Sequence, residues 1–275
     1  MIRTILISAI LYIAVSANAQ SYDELCARGT ENLETKNYTQ AIKNFTRAVT
    51  IEPHNPKNEY AYNNLAHAQW MQGDTESAIK SYTHALGFNS NSITIRRQRA
   101  RLFIQIENND SALADYTRIL HAEPRDTHAL FMRAYIYGKQ KEYQKAYADY
   151  NTLLSIEPSN NDARLSLALL YHKEGRLNDS LMLLGLLIDD EPDNAEYYYA
   201  RCNIENSEGQ TELAIMDIEE ALKLKPDNAS YHATHAELLL QQGKKSAAKQ
   251  ALDQAVKYGH PVEELTEAYG RCNIK

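Results

Sequence analysis

Pro124, Pro158, Pro192 and Pro226 stand 34 residues apart, and that spacing constrains this chain more than any other feature. Proline cannot continue a helix interior, so each one closes a segment of fixed length. Thr127–Asn160 shows what such a segment holds: THALFMRAYIYGKQKEYQKAYADYNTLLSIEPSN. Ala134, Ile136 and Tyr137, then Ala146, Tyr147, Tyr150, Leu153 and Leu154, recur at steps of three and four. That period predicts two amphipathic helices around a polar turn at Lys139–Glu142. Neither helix can bury its apolar face alone, nor can the pair. The remaining cover must come from neighbouring copies.

Registering the chain on this period gives seven units: 22–55, 59–92, 93–126, 127–160, 161–194, 195–228 and 229–262. Pro56, Lys57 and Asn58 are an insertion between the first two. The eighth place of each unit holds Gly29, Ala66, Ala100, Ala134, Ala168, Cys202 and Ala236. The twentieth holds Ala41, Ala78, Ala112, Ala146, Ser180, Ala214 and Ala248. Small side chains at two fixed places predict a close crossing of the two helices in each unit, and a large residue there should cost about 1–3 kcal/mol. The twenty-fourth place is large throughout: Phe45, Tyr82, Tyr116, Tyr150, Leu184, Ile218 and Leu252. Gly73, Gly175, Gly209 and Gly243 fall at the turn between helices, where a left-handed helix end is easiest for glycine.

With these three columns and the closing proline, the chain resembles the tetratricopeptide repeat family from Tyr22 to Pro261. The resemblance implies an all-α fold, a right-handed superhelical solenoid of antiparallel helix pairs. A repeat array of this kind is expected to form one elongated domain over residues 20–262. Tyr269-Gly270-Arg271-Cys272-Asn273-Ile274 nearly copies Tyr199-Ala200-Arg201-Cys202-Asn203-Ile204. Residues 263–275 are therefore expected to cap the last apolar face as a single helix.

Residues 1–19, MIRTILISAILYIAVSANA, carry a positive Arg3, an apolar run from Ile5 to Val15 and a small-residue cleavage site, Ala17-Asn18-Ala19. That pattern predicts a secretory signal peptide cut before Gln20. The run is short for spanning ~30 Å of hydrocarbon, so no stable membrane anchor is expected, and the protein is placed outside the cytoplasm, in a periplasm or secreted. Asn37-Tyr38-Thr39 and Asn44-Phe45-Thr46 are glycosylation sequons that matter only in a eukaryotic host, and the bacterial reading is preferred. Cys26, Cys202 and Cys272 lie in different units. Two units separate Cys202 from Cys272 by roughly 20 Å of packed helices, too far for a disulfide, and Cys202 occupies the small-residue column.

The formal net charge is -7, which disfavours general nucleic-acid binding, since phosphate binding needs a basic surface. The sequence carries no HExxH, paired CxxC, phosphate-cradling glycine loop or nucleophile elbow. His232 and His235 share a helix without a third ligand, and Asp189, Asp190 and Glu191 fall at a helix end. No enzyme, cofactor or metal site is expected, so function should be recognition.

In the family that this chain resembles, the first helix of each unit lines a concave groove. Carried over by position, the groove residues are Tyr60, Asn63, His67 and Trp70 in the second unit and Thr94, Arg97, Arg101 and Ile104 in the third. His128, Phe131 and Tyr135 follow in the fourth, and Glu196, Tyr199 and Asn203 in the sixth. Arg97 and Arg101 share a helical face. Standing between Trp70 and the pair Phe131 and Tyr135, they suit a carboxylate on a protein or peptide partner. The alternative is that they neutralise the chain's own acids and that Trp70 is packing. The family's two-carboxylate clamp is matched poorly: Asn64 fits one place, while Cys26, Thr30, Thr94 and Gln98 hold the others. The fifth unit adds a second surface. Its second helix, LNDSLMLLGLLIDD, is apolar all round, so Met182, Leu183 and Leu186 are expected on the convex face as a partner or self-association interface. Two functions follow: a scaffold or adaptor of the cell envelope holding a protein partner, or a binder of carbohydrate or envelope polymer through the tyrosine-rich groove.

Overall fold

The computed structural model describes residues 20–272. The signal peptide expected at 1–19 lies outside the described residues. The contacts divide the chain into two compact units, one ending at Ile136 and one beginning at Tyr137, where the sequence predicts a single elongated domain. Each helix pair in a repeat array meets mainly its sequence neighbours, so compactness is local.

The first unit holds α1 (Tyr22–Glu34), α2 (Tyr38–Ile51), α3 (Asn58–Met71), α4 (Thr75–Phe88), α5 (Ile93–Gln105) and α6 (Asn109–Ala122). Helix α7 (Thr127–Lys139) runs across the boundary. The second unit continues with α8 (Tyr143–Ile156), α9 (Asn161–Lys173), α10 (Leu177–Asp190), α11 (Ala195–Ser207) and α12 (Thr211–Leu224). It ends with α13 (Ala229–Gln241), α14 (Lys245–Lys257), a 3₁₀ turn Val262–Leu265 and α15 (Thr266–Cys272). Among the described residues there is no strand. Consecutive helices pack as pairs, and the fold is an all-α solenoid of helical hairpins.

Local chemistry sets the helix ends. Ser21 forms a capping box with Glu24: the serine hydroxyl accepts from the Glu24 N–H, and the Glu24 carboxylate accepts from the Ser21 N–H. Asn37, Asp74 and Asn108 each cap the second helix of a pair by accepting from the N–H three residues on. Between paired helices the chain turns through one left-handed residue, always at the fifteenth place of the repeat. Gly73, Gly175, Gly209 and Gly243 take it with φ of 91°, 82°, 74° and 73°, and Lys36, Glu107 and Lys141 take it with φ of 58°, 58° and 62°.

The three columns are the core. Ala66, Ala100, Ala134, Ala168, Cys202 and Ala236, with Ala41, Ala78, Ala112, Ala146, Ser180, Ala214 and Ala248, are all fully buried. The large twenty-fourth residues are buried with them. In the first repeat the reason for the smallness is direct: a Cβ on Gly29 would come within 2.7 Å of the Phe45 ring. The large residue thus packs on the small one of its own repeat. Burial pushes the Cys202 thiol up to about 12, as befits an apolar filler. The insertion residue Asn58 belongs to α3 instead, fully buried, its amide donating to the Glu52 carbonyl at 2.7 Å. At the other end Leu265 and Cys272 pack with Ala236, Leu239, Leu252 and Ala255, covering the apolar face of α13 and α14. No helix among the described residues is long and apolar enough to cross a membrane.

Candidate functional site

In the first unit, α3 and α5 bring Trp70 and Arg101 together. The Arg101 guanidinium lies 5.4 Å from the centre of the Trp70 ring, within reach of a cation–π interaction. His67 sits one turn back on α3, its ring 6.2 Å from Trp70. Tyr60 is exposed and Asn63 half-buried on the same helix. Arg101 is exposed and has no ion pair among the described residues.

Arg97 has a different fate. Its guanidinium is ion-paired with Asp126, whose side chain is almost fully buried. Asp126 also caps α7 by accepting from the Ala129 N–H at 2.8 Å. Arg97 is therefore a structural bridge between α5 and the start of α7, and it does not present a free fork to a ligand. The two arginines divide between the two sequence readings: one neutralises an internal acid, the other stands open. On α7, Phe131 is half-buried and Tyr135 exposed.

Arg97, Arg101 and Asp126 all bear on the His128 imidazole. Burial first, then the charge of Arg97, holds the His128 imidazole below its usual range, with Asp126 opposing. Beneath it, burial pushes the Tyr116 phenol up to about 12 against the pull of Arg101 and Arg97. The Tyr116 hydroxyl and the Arg97 Nε are buried without a hydrogen-bond partner.

The second unit builds a pocket of another kind between α9 and α11. Its volume is about 340 Å³, and Leu165, Leu169, Tyr199, Ala200, Asn203 and Ser207 line it. Tyr199 and Asn203 belong to the expected groove. Leu165 and Leu169 were not in the sequence-derived set, yet they occupy the fifth and ninth places of the fifth repeat, the same places as Asn63 and His67 in the second. Tyr199 is held by Tyr231, ring centres 4.6 Å apart. At the rim the Ser207 hydroxyl lies 3.2 Å from His172 Nε2, and His172 Nδ1 lies 3.7 Å from Glu208. This resembles a catalytic triad in outline only. Ser207 donates its proton to the Ile204 carbonyl at 2.7 Å, and it ends a helix, where the dipole opposes a developing oxyanion.

The exposed apolar patch on α10 is smaller than expected. Met182 and Leu186 are 64% and 52% exposed, but Leu183 packs against the cluster of Leu184, Leu187, Ile188 and Tyr197. Leu183 holds the twenty-third place of its repeat, which faces inward. Sequence reasoning overlooked what that place does. In the third repeat it is Asp115, buried and bound by Arg99 through Nε to Oδ2 at 2.8 Å and Nη2 to Oδ1 at 2.7 Å. In the sixth it is Asp217, held the same way by Arg201 at 2.6 and 2.8 Å. The arginine stands at the seventh place each time, and the repeating Arg-then-Asp at a separation of sixteen was visible in the sequence.

Family models described as tetratricopeptide repeat match residues 25–55, 59–92 and 195–228, residues 97–161 and residues 139–202. Among solved structures, a tetratricopeptide repeat protein from Parabacteroides merdae is similar at 27% identity with a TM-score of 0.74, over 92% of this chain and 99% of that one. MamA is similar at 18% identity and a TM-score of 0.57, over 64% of this chain and 94% of its own. YrrB, a TPR protein with an unusual peptide-binding site, is similar at 19% identity and a TM-score of 0.53, over 73% of this chain and 97% of its own. These last two likenesses are of fold alone. None of the curated proteins matches this chain.

Proposed function

Because the chain belongs to the tetratricopeptide repeat family, generally non-catalytic scaffolds for protein–protein interaction, we propose that it is an adaptor of the cell envelope that holds an acidic segment of a protein partner against Trp70 and Arg101. One observation carries this reading: Arg101 is exposed, stacked on Trp70 and without a carboxylate of its own. A stacked guanidinium keeps its donors free at the edge, and those donors match a carboxylate in forked geometry. Export rests on the sequence alone, on the apolar run Ile5–Val15 followed by Ala17-Asn18-Ala19.

Trp70 is the chain's single tryptophan, so its fluorescence reads this site directly. Titration with peptides rich in aspartate and glutamate should shift the Trp70 emission saturably, and Arg101→Glu should weaken the response at least tenfold. A saturable response to envelope oligosaccharides with none to acidic peptides would overturn the adaptor reading in favour of polymer binding.

A further inference from the structure

The first repeat breaks a rule that the third and sixth repeats keep. In those two, the arginine at the seventh place is neutralised by the buried aspartate at the twenty-third. In the first repeat the same places hold Arg28 and Asn44. Asparagine has the shape of aspartate without its charge, so Arg28 keeps an arginine's position and loses the acid that matches it. Arg28 is exposed and has no ion pair among the described residues.

The surroundings add charge where the repeat has removed it. Arg28, Asn32, Gln40, Lys43, Asn44 and Arg47 line an open cavity of about 500 Å³ on α1 and α2, together with Gln20 and one carboxylate, Glu31. Arg47 spends one amino group on the Gln20 side chain, at 3.0 Å. Three cations against one anion leave this cavity positive on a chain whose net charge is -7. Its neutral members are side-chain amides, which supply hydrogen-bond donors without repelling an anion.

We propose that this cavity is a binding site for a phosphate group, separate from the groove at Trp70 and Arg101 and independent of what that groove holds. Two forked guanidiniums and an ammonium suit the three oxygens and near-double charge of a phosphate better than a single carboxylate. The phosphate can belong to a free small molecule or to a lipid headgroup, and the site recognises the same oxygens in both.

The test restores the missing acid. Calorimetric titration of the chain from Gln20 onward with inorganic phosphate, at low ionic strength, should show one saturable site. Arg28→Gln should weaken it at least tenfold. Asn44→Asp, which rebuilds the pair of the third and sixth repeats, should do the same, and Asn44→Ser should retain binding. Sedimentation with phosphatidylglycerol vesicles, against phosphatidylcholine as control, separates the sources: vesicle binding competed by phosphate assigns the headgroup, and calorimetric binding without vesicle binding assigns a free phosphate. Phosphate binding unchanged in Asn44→Asp, or no saturable site in the unaltered chain, overturns the proposal. Neither result touches the Trp70 fluorescence response, which tests the groove on its own.

Discussion

The third and fifth repeats share one backbone plan and fill its seventh and twenty-third places with opposite chemistry. The third has Arg99 gripping the buried Asp115, with Arg96 on the same carboxylate at 3.2 Å. The fifth has Leu167 and Leu183, the first buried and the second packed against an apolar cluster. The small columns beside them are alike, Ala100 and Ala112 in one, Ala168 and Ser180 in the other, all fully buried. Close helix crossing therefore depends on the small residues, and the seventh and twenty-third places are free to be ionic or apolar provided both members agree. A buried ion pair is costly when half of it is removed and near neutral when both halves become apolar.

That statement can be broken by experiment. Asp115→Leu alone should lower stability by about 3–5 kcal/mol, because two arginines lose their carboxylate in a site with little water. Arg99→Leu with Asp115→Leu, which copies these two places of the fifth repeat, should recover about 2 kcal/mol of that loss, since Arg96 still lacks its carboxylate. Urea unfolding of the two variants and of Arg99→Leu closes the cycle. A loss below about 1 kcal/mol for Asp115→Leu would show that the pair contributes little to holding α5 and α6 together.

The sixth repeat sharpens the contrast with the third. It repeats the forked pair as Arg201 and Asp217, but its eleventh place is Glu205 where the third repeat has Phe103, with the Arg99 guanidinium 5.6 Å from the ring. Glu205 is only 7% exposed. Burial, then the charge of Asp217, pushes its carboxyl from an ordinary 4.5 up to about 7, with Arg201 opposing. The folded state therefore binds the proton more tightly than the unfolded one. Stability from this group is fully present below pH 4.5, declines as pH rises and is lost above about 7. Glu205→Gln should raise stability by roughly 2 kcal/mol at pH 8 and leave it nearly unchanged at pH 4. Urea midpoints at the two pH values measure the difference, and a gain independent of pH would rule out titration of Glu205 as its cause.

Much of this was legible in the sequence, for a physical reason. Helix crossing is a steric condition repeated in every unit, so it writes itself as columns, and Ala66, Ala78 and Tyr82 announce it as clearly as their counterparts. Trp70 and Arg101 were legible because both sit on first helices at places that face the same side. Arg97 was not, because its partner Asp126 is at once a helix cap and a counter-ion, and capping residues look alike whether or not a cation reaches them. Leu183 misleads for a related reason. A helix that is apolar all round gives no periodic sign of which side is inward, and only the comparison with Asp115 and Asp217 at the same place fixes it. Leu165 and Leu169 escape notice because apolar side chains on a first helix look like core until a pocket opens beside them.

The smallest difference between the third and fifth repeats lies at their turns, and it gives the finest test. The fifteenth place is Glu107 in one and Gly175 in the other, with φ of 58° and 82°. A left-handed backbone brings the Cβ of an ordinary residue toward its own carbonyl oxygen, and glycine escapes that contact. The third repeat therefore holds strain that the fifth does not. Glu107→Gly should raise stability by about 0.5–1 kcal/mol, the relief of strain outweighing the extra freedom that glycine gives the unfolded chain. Gly175→Glu should lower it by about 1 kcal/mol, since φ at Gly175 lies further from the range that side-chain-bearing residues tolerate. Thermal unfolding of the reciprocal pair reads both signs at once. Equal and opposite shifts would mean that the turn alone decides. A larger loss at Gly175 than gain at Glu107 is expected instead, because the third repeat's turn has already settled at the angle where a side chain costs least.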